Sequence, residues 1–351
     1  MEQKKFLLVD IYNIFFRLVY AIQEKDLELK SALVLNAFFT MMKYLGQKLK
    51  PDHMVICSEG AHNWRKKLSV KYKLNRKEKM ENRTMREITH DNMMLDVLNE
   101  FLEFMDLKTN VSVLRCEEAE ADDMIARFCF LHPNDKITIC SVDNDFIQLV
   151  NKNISLYNGS QKVLITNTGV LDIEKNKFRM CSVDAKGKLT IKKDYVGIEQ
   201  PLQDDWIEYA LFCKCIRGDS SDNIFPAYPK VRANSTNSKG VKKVGLNEAF
   251  EHRKSQDFEW INFMNQTWKD ENGNIRKVED EYKKNQVLID FNYIPTELKE
   301  KFDNYIQENL KTKPKTLIGI NLMQFFNKHS MIRQLDYINN FTDLFSKTYR
   351  G

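Results

Sequence analysis

Four stretches of this chain end in the same way, an apolar run followed at once by carboxylates. Residues 6–9 lead into Asp10, His53–Cys57 into Glu59, residues 111–116 into Glu118, Glu120, Asp122 and Asp123, and Lys136–Cys140 into Asp143 and Asp145. Carboxylates gathered in one place raise one another's pKa and weaken a fold unless a positive charge sits between them. Every donor in these strings is an oxygen and no Cys/His cluster accompanies them, which suits Mg²⁺ or Mn²⁺ rather than zinc. Two such ions ~3.5 to 4 Å apart activate a water and stabilise the leaving oxygen of a phosphodiester. Glu120 and Asp123, three apart, share a flank of the helix whose apolar side is Ala121, Ile125 and Phe128. Asp143 and Asp145, two apart past a strand, project the same way from an extended segment. Any one of these carboxylates alone reads as a helix cap. Four strand ends doing so together point to a shared site.

Helical patterns separate the apolar runs, at 33–49, 92–105 and Ala121–Leu131. Alternation of this kind implies an α/β fold with a mainly parallel central sheet flanked by helices, whose strands all end at one edge. The α/β part is expected over 1–203, with β-branched runs at 162–166 and 189–192 marking an inserted hairpin region within 151–200. Helical patterning resumes near 204 and continues to about 328, broken by a polar loop at 229–240, and residues 329–351 read as a polar and aromatic tail. The length of 351 residues and the 42% hydrophobic and 29% charged content exclude a small binding module and a disordered chain. Only 12 glycines and 7 prolines argue against an all-β fold. No run approaches a membrane span, and seven cysteines without CxxC spacing read as reduced core residues, so a cytoplasmic protein without membrane contact is expected.

The net charge of +5 is unevenly placed: residues 65–86 hold ten basic residues against two glutamates, a local +8. Such a segment fits a gateway for a single strand of nucleic acid. Trp64 and Tyr72 are placed to stack on bases, and Arg65, Lys66, Lys73, Arg76 and Lys77 to meet phosphates. The bland alternative is a solvated lysine-rich helix face.

The strings LLVD ending at Asp10, EAEADDMIA at 118–126, SVDNDFIQL at 141–149 and GDSSDNI at 218–224 resemble, in order, the signature blocks of the flap endonuclease and 5′-to-3′ exonuclease family. NQVLIDFNYIP at 285–295 and KVR at 230–232 are similar to its ribonuclease H branch known from T-even phages. The resemblance runs from about residue 5 to about residue 340. It implies a PIN-like nuclease with a helical arch at about 60–100 and a helical C-terminal DNA-binding domain. The implied activity is metal-dependent hydrolysis of RNA primers in RNA/DNA hybrids and of DNA 5′ ends or flaps during replication, with two Mg²⁺ ions that Mn²⁺ can replace. Carried over, Asp10, Glu59, Glu120, Asp123 and Asp143 surround the first ion and Asp145, Asp219 and Asp222 the second, with Asp122 a ligand or an outer partner. Glu118 competes with Glu120 for one role, and EADD in frame favours Glu120. VKYKLNR at 70–76 resembles the arch segment and places Lys73 nearest the scissile phosphate, so Asp10, Lys73 and Asp143 are the catalytic candidates. Two departures stand out. Glu59 replaces the usual Asp, leaving direct or water-mediated ligation open, and residues 225–240 interrupt the block that leads to GVKKVGLNEAF at 240–250. If that segment is the family's duplex-holding helix-loop-helix clamp, Lys242 and Lys243 are its phosphate contacts.

DNA or RNA/DNA hybrid is the expected partner of a monomer. A sliding clamp or single-strand-binding protein is a further candidate, because Gln334, Tyr337 and Phe341 loosely match a clamp-binding peptide. His329 has no carboxylate or cysteine neighbour in sequence and reads as structural. Two other classes compete: a nucleic-acid-binding protein of the same fold without catalysis, and a small-substrate Mg²⁺ phosphohydrolase, which the +8 segment disfavours.

Overall fold

The computed structural model describes residues 3–196, 202, 205–228, 245–270 and 272–349. β1 (Lys5–Asp10) is buried from Phe6 onward and β2 (His53–Cys57) throughout, the continuous apolar pattern of strands covered on both faces. With β3 (Ser112–Leu114), β4 (Lys136–Cys140) and β5 (Ile154–Asn158) they form a parallel unit in the order β3-β2-β1-β4-β5. Asp10 pairs in register with Cys57 and Val9 with Cys140, so the chain leaves β1, β2 and β4 at the same edge. Successive strands step one way from β1 and then jump to its other side at β4, and that reversal opens a crevice at the strand ends.

One face of the sheet is covered by α1 (Ile11–Ala21) and α2 (Leu27–Leu49), and β2 is followed by α3 (Trp64–Leu68), α4 (Leu74–Glu81) and α5 (Met85–Lys108). α5 joins α1 and α2 through Met94, Leu98, Phe101 and Met105. The opposite face holds α6 (Ala121–Leu131), anchored by Met124, Ile125 and Phe128.

The β-rich stretch at 151–200 is a continuation of the central sheet rather than an inserted hairpin. β6 (Val163–Thr166), β7 (Gly169–Asp172), β8 (Lys177–Val183) and β9 (Leu189–Val196) extend β5 as an antiparallel meander to nine strands. The reason is the open backbone edge of β5, which the meander pairs while Val163, Ile165 and Val170 enter the core beside Ile139 and Leu156.

α7 (Trp206–Arg217) rests on the meander: Trp206 Nε1 donates to the Asn167 carbonyl at 3.0 Å and Tyr209 Oη to that of Ala185 at 2.8 Å. With α8 (Leu246–Ser255), α9 (Phe258–Met264), the hairpin β10 (Thr267–Lys269) and β11 (Ile275–Lys277), and α10 (Val278–Ile289), it builds a separate aromatic core around Phe212, Phe250, Trp260 and Tyr282. Beyond Ile289 the chain returns to the sheet. α11 (Thr296–Asn309) buries Phe302 and Ile306 against α6, while α12 (Ile318–Lys328) inserts Leu322 and Phe326 beside α2.

The expected tail is also structured. α13 (Ile332–Leu335) and α14 (Ile338–Phe345) complete that core with Phe341 and Phe345, both at 0% exposure. Gln334 is buried too, donating to the Asn36 carbonyl and to Thr40 Oγ1. Two of the three residues of the loose clamp-binding match are therefore core residues, and a clamp has no free peptide there to take. His329 meets Glu100 at 2.9 Å, a structural contact. All seven cysteines are free thiols, and among the described residues no helix is long and apolar enough to cross a membrane.

Candidate metal centre

The crevice gathers side chains from five places in the sequence. Asp10 closes β1 and caps α1 through the Asn13 amide at 3.4 Å. Ser141 Oγ donates to Asp10 Oδ2 at 2.8 Å and accepts from the Asp143 amide at 3.0 Å, which ties the ends of β1 and β4 together. Asp143 in turn caps the 3-10 turn Asn144–Leu149 by accepting from the Asp145 amide at 2.9 Å. Glu120 caps α6, and Asp123 reciprocates by accepting from the Glu120 amide at 3.0 Å. Besides the end of β2 with Glu59, the remaining element is the loop after α7. Gly218 adopts φ +68°, and a Cβ there would meet the Ile224 carbonyl oxygen at 2.3 Å, so only glycine lets Asp219 and Ile224 exchange their two backbone hydrogen bonds. Ser221 then donates from its amide and hydroxyl to Asp219 Oδ1 at 2.8 and 2.7 Å, which fixes that carboxylate.

Positive charge divides the carboxylates into two groups. Glu120 is paired with Arg65 at 3.0 Å and with Lys73; Asp123 with Arg65 at 2.9 Å; Asp145 and Asp219 with Lys214, the latter at 2.9 Å; Asp222 with Arg76 at 2.5 Å and Lys73 at 3.8 Å. Asp10, Glu59, Asp122 and Asp143 have no ion-pair partner among the described residues. Their protonation follows. Burial, with the charge of Asp143 added, pushes the Asp10 carboxyl up to about 7. Burial and Glu120 push Glu59 to about 7, and burial and Asp145 push Asp143 to about 6. Burial holds Asp122 well above the usual carboxylate range. Burial also opposes ionisation of Asp219, yet Lys214 and Ser221 outweigh it and hold that carboxyl at about 2.

Four oxygen-donor side chains without an ion-pair partner among the described residues fit a hard divalent cation such as Mg²⁺ or Mn²⁺. Among the described residues no three His, Cys, Asp or Glu side chains close around a single point as they stand. The ammonium groups of Lys73 and Lys214 lie between carboxylates instead, Lys73 between Glu120 and Asp222 and Lys214 between Asp145 and Asp219. Lys73 reaches in from a left-handed backbone conformation, φ +55°, with its amide bonded to the Asp222 carbonyl at 2.8 Å. Such backbone at a non-glycine residue costs of order 1–3 kcal/mol and marks a position held by its surroundings.

Several expectations need correction. Asp123, expected beside the first ion, is 0% exposed and bonded to Trp64 Nε1, Arg65 and the Glu120 amide, whereas Asp122 has no ion-pair partner among the described residues. The cause is the reciprocal cap with Glu120, which turns Asp123 behind the helix end. Trp64, Arg65 and Tyr72 are not an open base-stacking and phosphate-binding surface, being 3%, 2% and 4% exposed. Arg65 also donates from Nε to the Leu288 carbonyl at 3.0 Å, and Tyr72 Oη donates to Glu120 Oε2 at 3.1 Å, so these side chains brace the carboxylates. Glu118 lies at the surface with Lys67 and Lys301, which leaves Glu120 as the residue in the crevice. Lys66 and Lys77 are exposed, Arg76 is half-exposed on α4, and Lys242 and Lys243 lie outside the described residues. The arch segment is α3, α4 and the start of α5, and it is docked on the 219–224 loop. Asn75 Nδ2 donates to the Ser220 and Ser221 carbonyls at 3.1 and 3.2 Å, and Asn223 Nδ2 to that of Lys71 at 2.8 Å.

Sequence reasoning missed Lys214 and Ser141. Lys214 had a signal, a lone cation between Cys213 and Cys215 in an otherwise apolar helix. Ser141 stands two residues before Asp143, where a hydroxyl at a strand end has no distinguishing pattern.

Residues 5–176 match the 5′-3′ exonuclease N-terminal resolvase-like domain. The chain is 28% identical to the flap endonuclease Xni of Colwellia psychrerythraea over 171 residues, 43% of this chain and 54% of the relative. It thus spans about half the length of that curated relative. Among solved structures, T5 5′-exonuclease with bound zinc superposes with a TM-score of 0.55 at 18% identity, covering 87% of this chain and 99% of that one. The T5 D15 flap endonuclease in a complex with DNA and metal ions does so with 0.55 at 17%, covering 87% and 98%. The two likenesses establish a shared fold over most of the chain, and the matched domain holds Asp10, Glu59, Glu120, Asp122, Asp143 and Asp145. Through this N-terminal half, the chain is similar to the 5′-3′ exonuclease N-terminal domain family and to a flap endonuclease.

Proposed function

We propose that the protein is a divalent-metal-dependent 5′ nuclease that hydrolyses phosphodiesters of DNA 5′ ends or flaps and of RNA in RNA/DNA hybrids, as primer removal during replication requires. The observation that carries this reading is the crevice itself, where Asp10, Glu59, Asp122 and Asp143 have no ion-pair partner among the described residues and a basic arch adjoins them. Two Mg²⁺ ions, when bound, supply a water of lowered pKa and charge stabilisation at the leaving oxygen. Asp10, Glu59, Asp122 and Asp143 would hold the first with Glu120, and Asp145, Asp219 and Asp222 the second. Ser141 and Asn13 orient Asp10, and Tyr72 and Arg65 orient Glu120, so the donors are set before substrate arrives. Lys73 and Lys214 hold two positive charges among the same carboxylates, which would stabilise the growing negative charge of a scissile phosphate. Exposed Lys66, Lys71 and Lys77, with Arg76, line the approach of a 5′ single strand.

A small phosphate ester needs no such approach. The test is a set of matched flap, hybrid and blunt duplex substrates beside a chromogenic phosphate monoester, each with Mg²⁺ or chelator. Metal-dependent cleavage of polymer alone supports the reading, and turnover of the monoester alone overturns it.

A further inference from the structure

The antiparallel meander ends in a feature that the metal centre does not use. The turn between β8 and β9, residues 184–188, carries Lys186 and Lys188, both exposed, and lies beyond the matched family domain. Its shape is rigid. Asp184 Oδ1 accepts from the Lys186 and Lys188 amides at 2.8 and 2.9 Å, and the Asp184 and Lys188 backbones pair at 3.0 Å. Gly187 adopts φ +74° and sits so close to α7 that a Cβ would meet Cys213 Cβ at 2.8 Å and Ala210 Cα at 2.9 Å. The carboxylate of Asp184 is therefore spent on the turn's own amides, and among the described residues neither Lys186 nor Lys188 has a carboxylate partner.

The turn also has a fixed neighbour. Arg217 Nη1 donates to the Lys186 carbonyl at 3.3 Å, and Arg217 is the last residue of α7, two before Asp219. Lys186, Lys188 and Arg217 thus form a basic ridge continuous with the loop that carries Asp219 and Asp222. Lys192 and Lys193 are not part of this ridge. They lie on β9, the outer strand of the sheet, where exposed lysines discourage edge-to-edge pairing.

We infer that the 184–188 turn and Arg217 form a second phosphate-binding ridge, which grips the backbone of duplex nucleic acid alongside the Asp219 side of the metal centre. Three cations without an ion-pair partner among the described residues, set around the single carboxylate of Asp184 on a preorganised turn and helix end, match the spacing-tolerant, salt-sensitive recognition of a polyanion rather than a shaped pocket for one small anion. The meander then has a purpose beyond covering β5: it carries the ridge to the end of α7. The inference rests on the nuclease reading above and adds where the duplex is held.

The experiment measures affinity for a 5′-flap duplex in chelator at several salt concentrations, for the wild type, Lys186→Ala/Lys188→Ala and Lys192→Ala/Lys193→Ala. Each lost phosphate contact flattens the slope of log affinity against log salt by about 0.9, so the turn variant should flatten it by about 1.8 and bind more weakly. The β9 variant should keep the wild-type slope. An unchanged slope in the turn variant, or equal flattening in the β9 variant, overturns the ridge while leaving the nuclease reading in place. Failure of the wild type to bind the flap duplex overturns both, and is distinguished by the missing wild-type signal.

Discussion

Arg65 separates a structural role from a substrate-binding one more sharply than any other residue of the basic segment. Its side chain is 3% exposed, bonded to Glu120 and Asp123 at 2.9–3.1 Å and to the Leu288 carbonyl at 3.0 Å, with its guanidinium 4.4 Å from the Trp64 ring. Arg65→Met keeps most of the volume but leaves two buried carboxylates and a carbonyl without their donor. Removing one partner of a buried pair costs about 3–5 kcal/mol, because the remaining charge stays desolvated. The Leu288 bond links the arch to α10, so the loss is felt between the two cores as well as at the crevice. Urea unfolding followed by tryptophan fluorescence reads this, since Trp64 lies against the altered site. A midpoint shift equivalent to about 3 kcal/mol or more is expected. Stability within about 0.5 kcal/mol of wild type, with weakened nucleic-acid affinity, would return Arg65 to the phosphate-contacting role that its sequence context suggested.

Lys73→Ala removes the ammonium between Glu120 and Asp222 and should lower turnover about 100-fold or more while altering duplex affinity little, as single-turnover kinetics and binding in chelator will show. Asp10, Glu59 and Asp143 titrate at about 7, 7 and 6 in the folded chain, above their unfolded values of 3.8, 4.5 and 3.8. The folded state therefore holds extra protons between those limits, and in chelator this contribution is lost as pH rises from about 4 to about 7. Saturating Mg²⁺ should restore stability at pH 8, which thermal melts with and without the ion will test. His53 acts in the opposite sense: burial lowers it to about 4, so its contribution is lost as pH falls below 6.5, and His53→Gln should remove that acid limb. Phe341→Ala should destabilise by about 3–5 kcal/mol as a core truncation, whereas a residue of an exposed clamp-binding peptide would cost almost nothing in the same melts.

The parallel strands and the acidic edge were legible because each strand is a buried apolar run that stops at a carboxylate, a pattern local in sequence. Glu120 could be preferred to Glu118 from the frame of EADD, and Glu118 pairs with Lys301 outside the crevice. Asp122 and Asp123 could not be told apart, since helix periodicity does not say which residue closes a reciprocal cap. Trp64, Arg65 and Tyr72 misled for a related reason. Charge counted along a segment does not distinguish side chains that face solvent from those that turn under it to meet buried acids. The meander's membership of the central sheet depends on pairing with β5, and the burial of Phe341 and Phe345 depends on contacts with Phe39, some 300 residues away. No local pattern carries either.

A 5′-labelled flap DNA incubated with the wild type and with Asp10→Asn, in Mg²⁺ and in chelator, decides whether the unpaired carboxylates are a catalytic metal centre. Asn keeps the shape and one acceptor oxygen, enough for the cap on the Asn13 amide, while presenting an amide donor to Ser141 and removing one charge from the group. Release of a short 5′ fragment only by the wild type in Mg²⁺, with flap binding retained in Asp10→Asn, is the expected outcome. Equal cleavage in chelator, or normal turnover by Asp10→Asn, would contradict it.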